Sequence, residues 1–136
     1  MKTGSIFLTY VVSFIAFLII DFTWLGLIAR DFYRDQLGTL LAPEVRWGAA
    51  FAFYALFVAG VMVFATLPAV AAGSLWRAVG LGAFFGLVTY ATYDLTNLAT
   101  TRGWPTAMVP VDMAWGTVLS ALVATVGYLV ASRLSG

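Results

Sequence analysis

The chain contains no cysteine and no histidine, and only 10 % of its 136 residues are charged. Without cysteine there are no disulfides. Lacking both residue types, it has none of the usual ligands for haem, iron–sulfur clusters or a His/Cys zinc site. The commonest general base near neutral pH is missing as well. Carboxylates alone could still hold a hard cation, but no metal motif is present and no cofactor is expected. The scarcity of charge is equally informative, since a typical globular protein has about 25 % charged residues. Here 62 % of the chain is hydrophobic, and a water-facing surface built from it would carry large apolar patches. Lipid as the solvent removes that difficulty. The net charge of +1 points to no polyanionic partner, and nothing resembles a nucleic-acid surface.

What is present is a set of long apolar runs. Lys2 ahead of the run from Ile6 to Ile20 could pass for a signal peptide, but the run continues through Trp24 to Ile28 without a small-residue cleavage site. It reads as a retained first span. Each crossing needs about 20 mostly apolar residues. The pattern predicts four spans within a single transmembrane domain covering 1–136, at about residues 5–28, 47–67, 75–98 and 106–131. Pro68 is expected to close the second. Unpaired backbone groups are not tolerated in lipid, so helices are the spanning elements. Barrel strands would be shorter and would alternate in polarity. The fold class is therefore an all-α integral membrane protein, a bundle of four transmembrane helices.

The first loop, Ala29 to Arg46, is amphipathic. Tyr33, Leu37, Leu40 and Leu41 recur at helical spacing, while Arg30, Asp31, Arg34 and Asp35 mark the other face. This predicts a short helix lying in the headgroup region. Let side A hold both termini and side B the first loop. Lys and Arg divide 3 to 4 between A and B, which decides no orientation. All six acids lie on side B or in the spans near it, so net charge favours cytoplasmic termini.

Three of those acids, Asp21, Asp94 and Asp112, fall inside spans one, three and four, and chain connectivity puts them in the same half of the bilayer. A charge at that depth costs several kcal/mol, so such residues face the bundle interior, pair with other groups or carry a proton. In span three, Tyr90, Tyr93, Asp94 and Asn97 share one helical stripe. Gly82 and Gly86 fall close to it as a small-xxx-small pair that permits close helix approach. Thr89, Thr92 and Thr96 lie beside the stripe and can bond back to the preceding turn. Trp24 and Trp115 each follow an acid by one turn, Asp21 and Asp112 respectively, and an indole N–H can donate to a carboxylate. Trp47, Trp76 and Trp104 are explained by an interfacial aromatic belt.

The two hairpins share a pattern. Asp21-Phe22-Thr23-Trp24-Leu25 parallels Asp94-Leu95-Thr96-Asn97-Leu98, and Glu44-Val45-Arg46-Trp47-Gly48 parallels Asp112-Met113-Ala114-Trp115-Gly116. A duplicated hairpin would give this, with repeats related by an axis along the membrane normal.

Asp-x-x-Trp-Leu-Gly at 21–26, Tyr-Ala-Thr-Tyr-Asp-Leu-Thr-Asn at 90–97, Trp-Pro at 104–105 and Val-Asp-Met-Ala-Trp-Gly at 111–116 resemble a family of small bacterial membrane proteins, number 2177 of the domain-of-unknown-function series. The resemblance covers nearly the whole chain and implies a bacterial inner-membrane location. It also brings an association with genes for lipid-modifying enzymes such as cyclopropane fatty acid synthases, which is not a mechanism.

Three functions compete. A binding or transport module would use Asp21, Trp24, Tyr90, Tyr93, Asp94, Asn97, Asp112 and Trp115 to line a pocket for a cation, a proton or a small amphipathic molecule. Four helices rarely enclose a pathway alone, so a homodimer would be expected. A lipid-modifying enzyme or its subunit could use clustered carboxylates as acid and base. No nucleophile–base or metal motif supports it, and no catalytic residue is assigned. A structural partner of a membrane complex would use the polar cluster as interhelical glue. Three acids exceed what packing needs, which ranks the binding module first.

Overall fold

The computed structural model describes residues 2–135, and among them helices are the only regular elements. Four are long and apolar enough to cross a membrane: α1 (Thr3–Ile28), α3 (Trp47–Ala72), α4 (Leu75–Thr100) and α5 (Met108–Ser135). A short helix, α2 (Arg30–Leu37), lies in the first loop and ends in a 3-10 turn, Gly38–Leu40. The amphipathic pattern of 30–41 thus folds as its periodicity predicts.

Two boundaries differ from expectation. Pro68 does not end the second crossing, and the helix runs on to Ala72. Proline lacks an N–H and its ring clashes with the carbonyl four residues back. The turn just before it, Met62–Thr66, is a π-helix, with the Leu67 N–H bonded five residues back to Met62. That wider turn relaxes the ladder where the ring must fit. The link to α4 is therefore only Gly73 and Ser74. Gly73 ends one helix at φ 63°, and the Ser74 hydroxyl caps the next by accepting from the Arg77 N–H at 3.1 Å. The last span begins at Met108 and not at Thr106, because residues 106–107 are turn.

Small residues set the closest helix contact. A side chain at Gly82 would reach Ala124 and the Ser120 carbonyl, and one at Gly86 would strike the Gly116 carbonyl and Ser120. The α4 and α5 backbones therefore meet along the Gly82–Gly86 stripe, as the small-xxx-small pattern predicts. The apolar core lies between α1, α3 and α5, around Phe17, Phe57, Val58, Leu119 and Val123. Large side chains such as Phe7, Ile19, Leu56, Phe64 and Phe84 point outward, as a lipid solvent requires.

The second crossing changes neighbours along its length. Its first part, Trp47–Val61, packs on α1 and α5, whereas Met62–Ala72 packs on both α4 and α5. On the side-B half, beyond the point where Phe57 meets Phe85 and Tyr90, a gap opens between α3 and α4, and Tyr33 and Leu37 of α2 line it.

Candidate functional site

The gap is a cavity of about 580 Å³. Its walls come from every helix: Asp21 and Leu25 from α1, Tyr33 and Leu37 from α2, Phe53 and Tyr54 from α3, Thr89, Tyr90 and Tyr93 from α4, and Met108, Asp112 and Trp115 from α5. At 1.5 Å per residue, Asp112 lies about 6 Å and Asp21 about 10 Å inside the side-B ends of their helices.

The acids are held by a crossed arrangement. The Trp115 indole N–H donates to the Asp21 carboxylate at 3.0 Å. The Trp24 indole N–H donates to the Tyr33 hydroxyl at 3.2 Å, and that hydroxyl donates to Asp112 at 2.8 Å. Each acid is thus served by the other helix's tryptophan, Asp112 through an intervening phenol. The cause is readable in the sequence. Asp-x-x-Trp occurs in α1, which runs toward side B, and again in α5, which runs away from it. On antiparallel helices the same spacing sets each Asp level with the opposite Trp. The two indoles stack between them, centroids 4.6 Å apart and planes 11° from parallel.

Asp94 is in a different position. It is fully buried, and among the described residues neither carboxylate oxygen meets a hydrogen-bond donor. The carboxyl of Asp112 lies close to it. It lies behind the cavity wall and does not line it. Asn97 points elsewhere, donating to the Tyr93 carbonyl at 2.9 Å and accepting from the Thr101 hydroxyl at 3.0 Å. It supports the end of α4 and is not in the cavity. Tyr93 stands at the mouth, edge-on to Trp104, and Tyr90 packs against the bare face of Gly116. Glu44, the counterpart of Asp112 in the repeat pattern, is exposed in the first loop.

Tyr33 is the main residue that sequence reasoning missed. It stood only as part of an apolar face, yet it bridges Trp24 and Asp112. Burial raises its hydroxyl pKa above the ordinary tyrosine value, the Trp24 hydrogen bond opposes this, and the negative charge of Asp112 adds to the rise. The hydroxyl therefore remains a donor. Tyr54 and Phe53 lie inside an unbroken apolar run, where no pattern singles them out.

Residues 6–129 match the model of a family described as predicted membrane proteins, DUF2177. The chain belongs to this family. No curated protein matches the chain, and no solved structure does. The matched region contains every cavity residue, and with them both Asp-x-x-Trp segments and the Tyr90–Asn97 stripe. What the family match establishes is a membrane protein, in agreement with the four apolar helices. The chemistry must be argued from the cavity.

Proposed function

We propose that this protein is a binding or transport module for small amphipathic cations, with Asp21 and Asp112 as the charge-recognising groups. The observation that carries this is the composition of the cavity wall. Two carboxyls face it, aromatic rings make up much of the rest, and neither Lys nor Arg lines it. Arg30 and Arg34 lie on the exposed side of α2. A cation brought there meets opposite charge in a low-dielectric setting and the faces of Tyr54, Tyr90 and Trp115, an arrangement that favours organic ammonium groups. An anion would meet two carboxyls and no basic side chain.

The expected setting is the bacterial inner membrane with cytoplasmic termini, which puts the cavity in the periplasmic leaflet. A full pathway would call on a second copy of the chain.

The test is a titration of n-butylamine into the purified protein, read by fluorescence of Trp115 and Trp24. Saturable quenching that Asp112→Asn weakens by roughly tenfold or more is expected. Equal response to butyrate, or no response in the wild type, would sink the reading. Uptake of the amine into vesicles separates transport from binding alone.

A further inference from the structure

The cavity does not end at its acids. A second, apolar groove of about 450 Å³ runs between α3 and α4 toward the bilayer middle, and Phe53 and Thr89 line both spaces. Thr89 is the one polar residue in its wall, and its hydroxyl is turned back to the Phe85 carbonyl at 2.8 Å. The floor is formed where Gly60 meets the Phe85 ring, which a side chain at Gly60 would strike at 2.6 Å. Toward lipid the groove is edged by Leu56, Val63 and Phe64, all strongly exposed. Its walls come from two helices only. Phe53 and Thr89, common to both walls, put the groove directly beside the cavity, and the exposed Leu56, Val63 and Phe64 set its edge toward lipid.

We propose that the occupant is a long-chain aliphatic amine, with its ammonium at Asp21 and Asp112 and its chain along the α3–α4 groove, entered laterally from the bilayer. This rests on the cation-binding reading above and adds the class of ligand. Charge complementarity selects the headgroup. A phosphate or carboxylate headgroup would need a basic residue in the cavity, and none lines it. A zwitterionic phospholipid would bring its phosphate beside two acids, about 6–10 Å below the side-B helix ends. An amine without an accompanying anion fits both the acids and the groove. The lateral route lets the chain stay in an apolar medium throughout, so that only the headgroup leaves the interface.

The experiment uses the full chain in nanodiscs of phosphatidylcholine. The probe is hexadecylamine carrying a diazirine at the chain end, compared with hexadecanoic acid carrying the same group. Photolysis followed by peptide mapping should place amine adducts on residues 56–64 and 85–89, about tenfold above the acid probe. Ala59→Phe, which fills the groove, should abolish those adducts while leaving n-butylamine binding intact. Val63→Phe, at a position 56 % exposed, serves the same purpose should Ala59→Phe fail to fold. Adducts spread over outward residues such as Phe84 and Leu122, or equal labelling by acid and amine, overturn the proposal. If butylamine binds but the long amine does not label the groove, the chain assignment falls and the cation site stands. If neither binds, both fall.

Discussion

The stacked indoles of Trp24 and Trp115, 4.6 Å between centroids, are the hinge of the site. The stack ties α1 to α5 at the depth of two buried acids and aims one N–H to each side of itself, to Asp21 and to Tyr33. Because the two helices are antiparallel, neither tryptophan serves the acid on its own helix. A polar network inside lipid is stable only when its members find partners. Here each carboxylate facing the cavity has a donor: the stack holds the Trp115 indole on Asp21 and the Trp24 indole on the Tyr33 hydroxyl, which in turn serves Asp112.

Unequal losses are predicted for the two tryptophans. Trp115→Phe keeps most of the stacking surface but removes the one side-chain donor to Asp21 found among the described residues, and Asp21 is 4 % exposed. Leaving a buried charged acceptor unsatisfied costs about 1–3 kcal/mol or more. Trp24→Phe breaks a longer bond to a neutral hydroxyl, at 3.2 Å, and should cost about 0.5–1.5 kcal/mol. Equilibrium unfolding in detergent reads the difference. Equal losses would mean that the stack, and not the hydrogen bonds, carries the stability.

Tyr33→Phe should loosen α2 without unfolding the bundle. The hydroxyl is the polar tie from the loop helix to Asp112, and hydrogen exchange across residues 30–41 should speed up while α4 and α5 remain protected. A pH dependence accompanies it. Burial raises the Tyr33 pKa in the folded protein. The folded state therefore favours the protonated phenol, and its contribution is full below the unfolded value of about 10. It is lost as pH rises beyond that toward the folded value. Thermal stability of the wild type should fall above about pH 10, and Tyr33→Phe should remove part of that fall.

How much of this was legible in the residues differs from element to element. The four spans follow from apolar runs near the bilayer thickness, a requirement so coarse that local detail barely disturbs it. Pro68 misled because its effect depends on the turn before it, and a π-turn at Met62–Thr66 has no signature in the sequence. Asp21, Asp112, Trp24 and Trp115 could be placed at one depth because helical rise fixes depth. Which Trp serves which Asp required the packing of α1 on α5, a long-range fact. Asp94 and Asn97 share a stripe with Tyr90 and Tyr93, but a stripe spans more than one neighbour. Asp94 turns toward α5, Asn97 stays with its own helix end, and the tyrosines face the cavity. Tyr33 was hidden because amphipathicity says which face is apolar and not what that face touches.

The α4–α5 contact gives a paired prediction. Gly86→Ala puts a methyl group into the Gly116 carbonyl and Ser120, with backbone on the far side that cannot yield. Overpacking of this kind costs about 1–3 kcal/mol. Gly80→Ala on the same helix has nothing within 4 Å of the added carbon. It should leave stability unchanged or raise it by up to about 1 kcal/mol through helix propensity. Thermal unfolding of the two variants in one detergent checks the contrast. A cost for Gly80→Ala equal to that of Gly86→Ala would show that glycine flexibility, and not close approach, is what α4 needs.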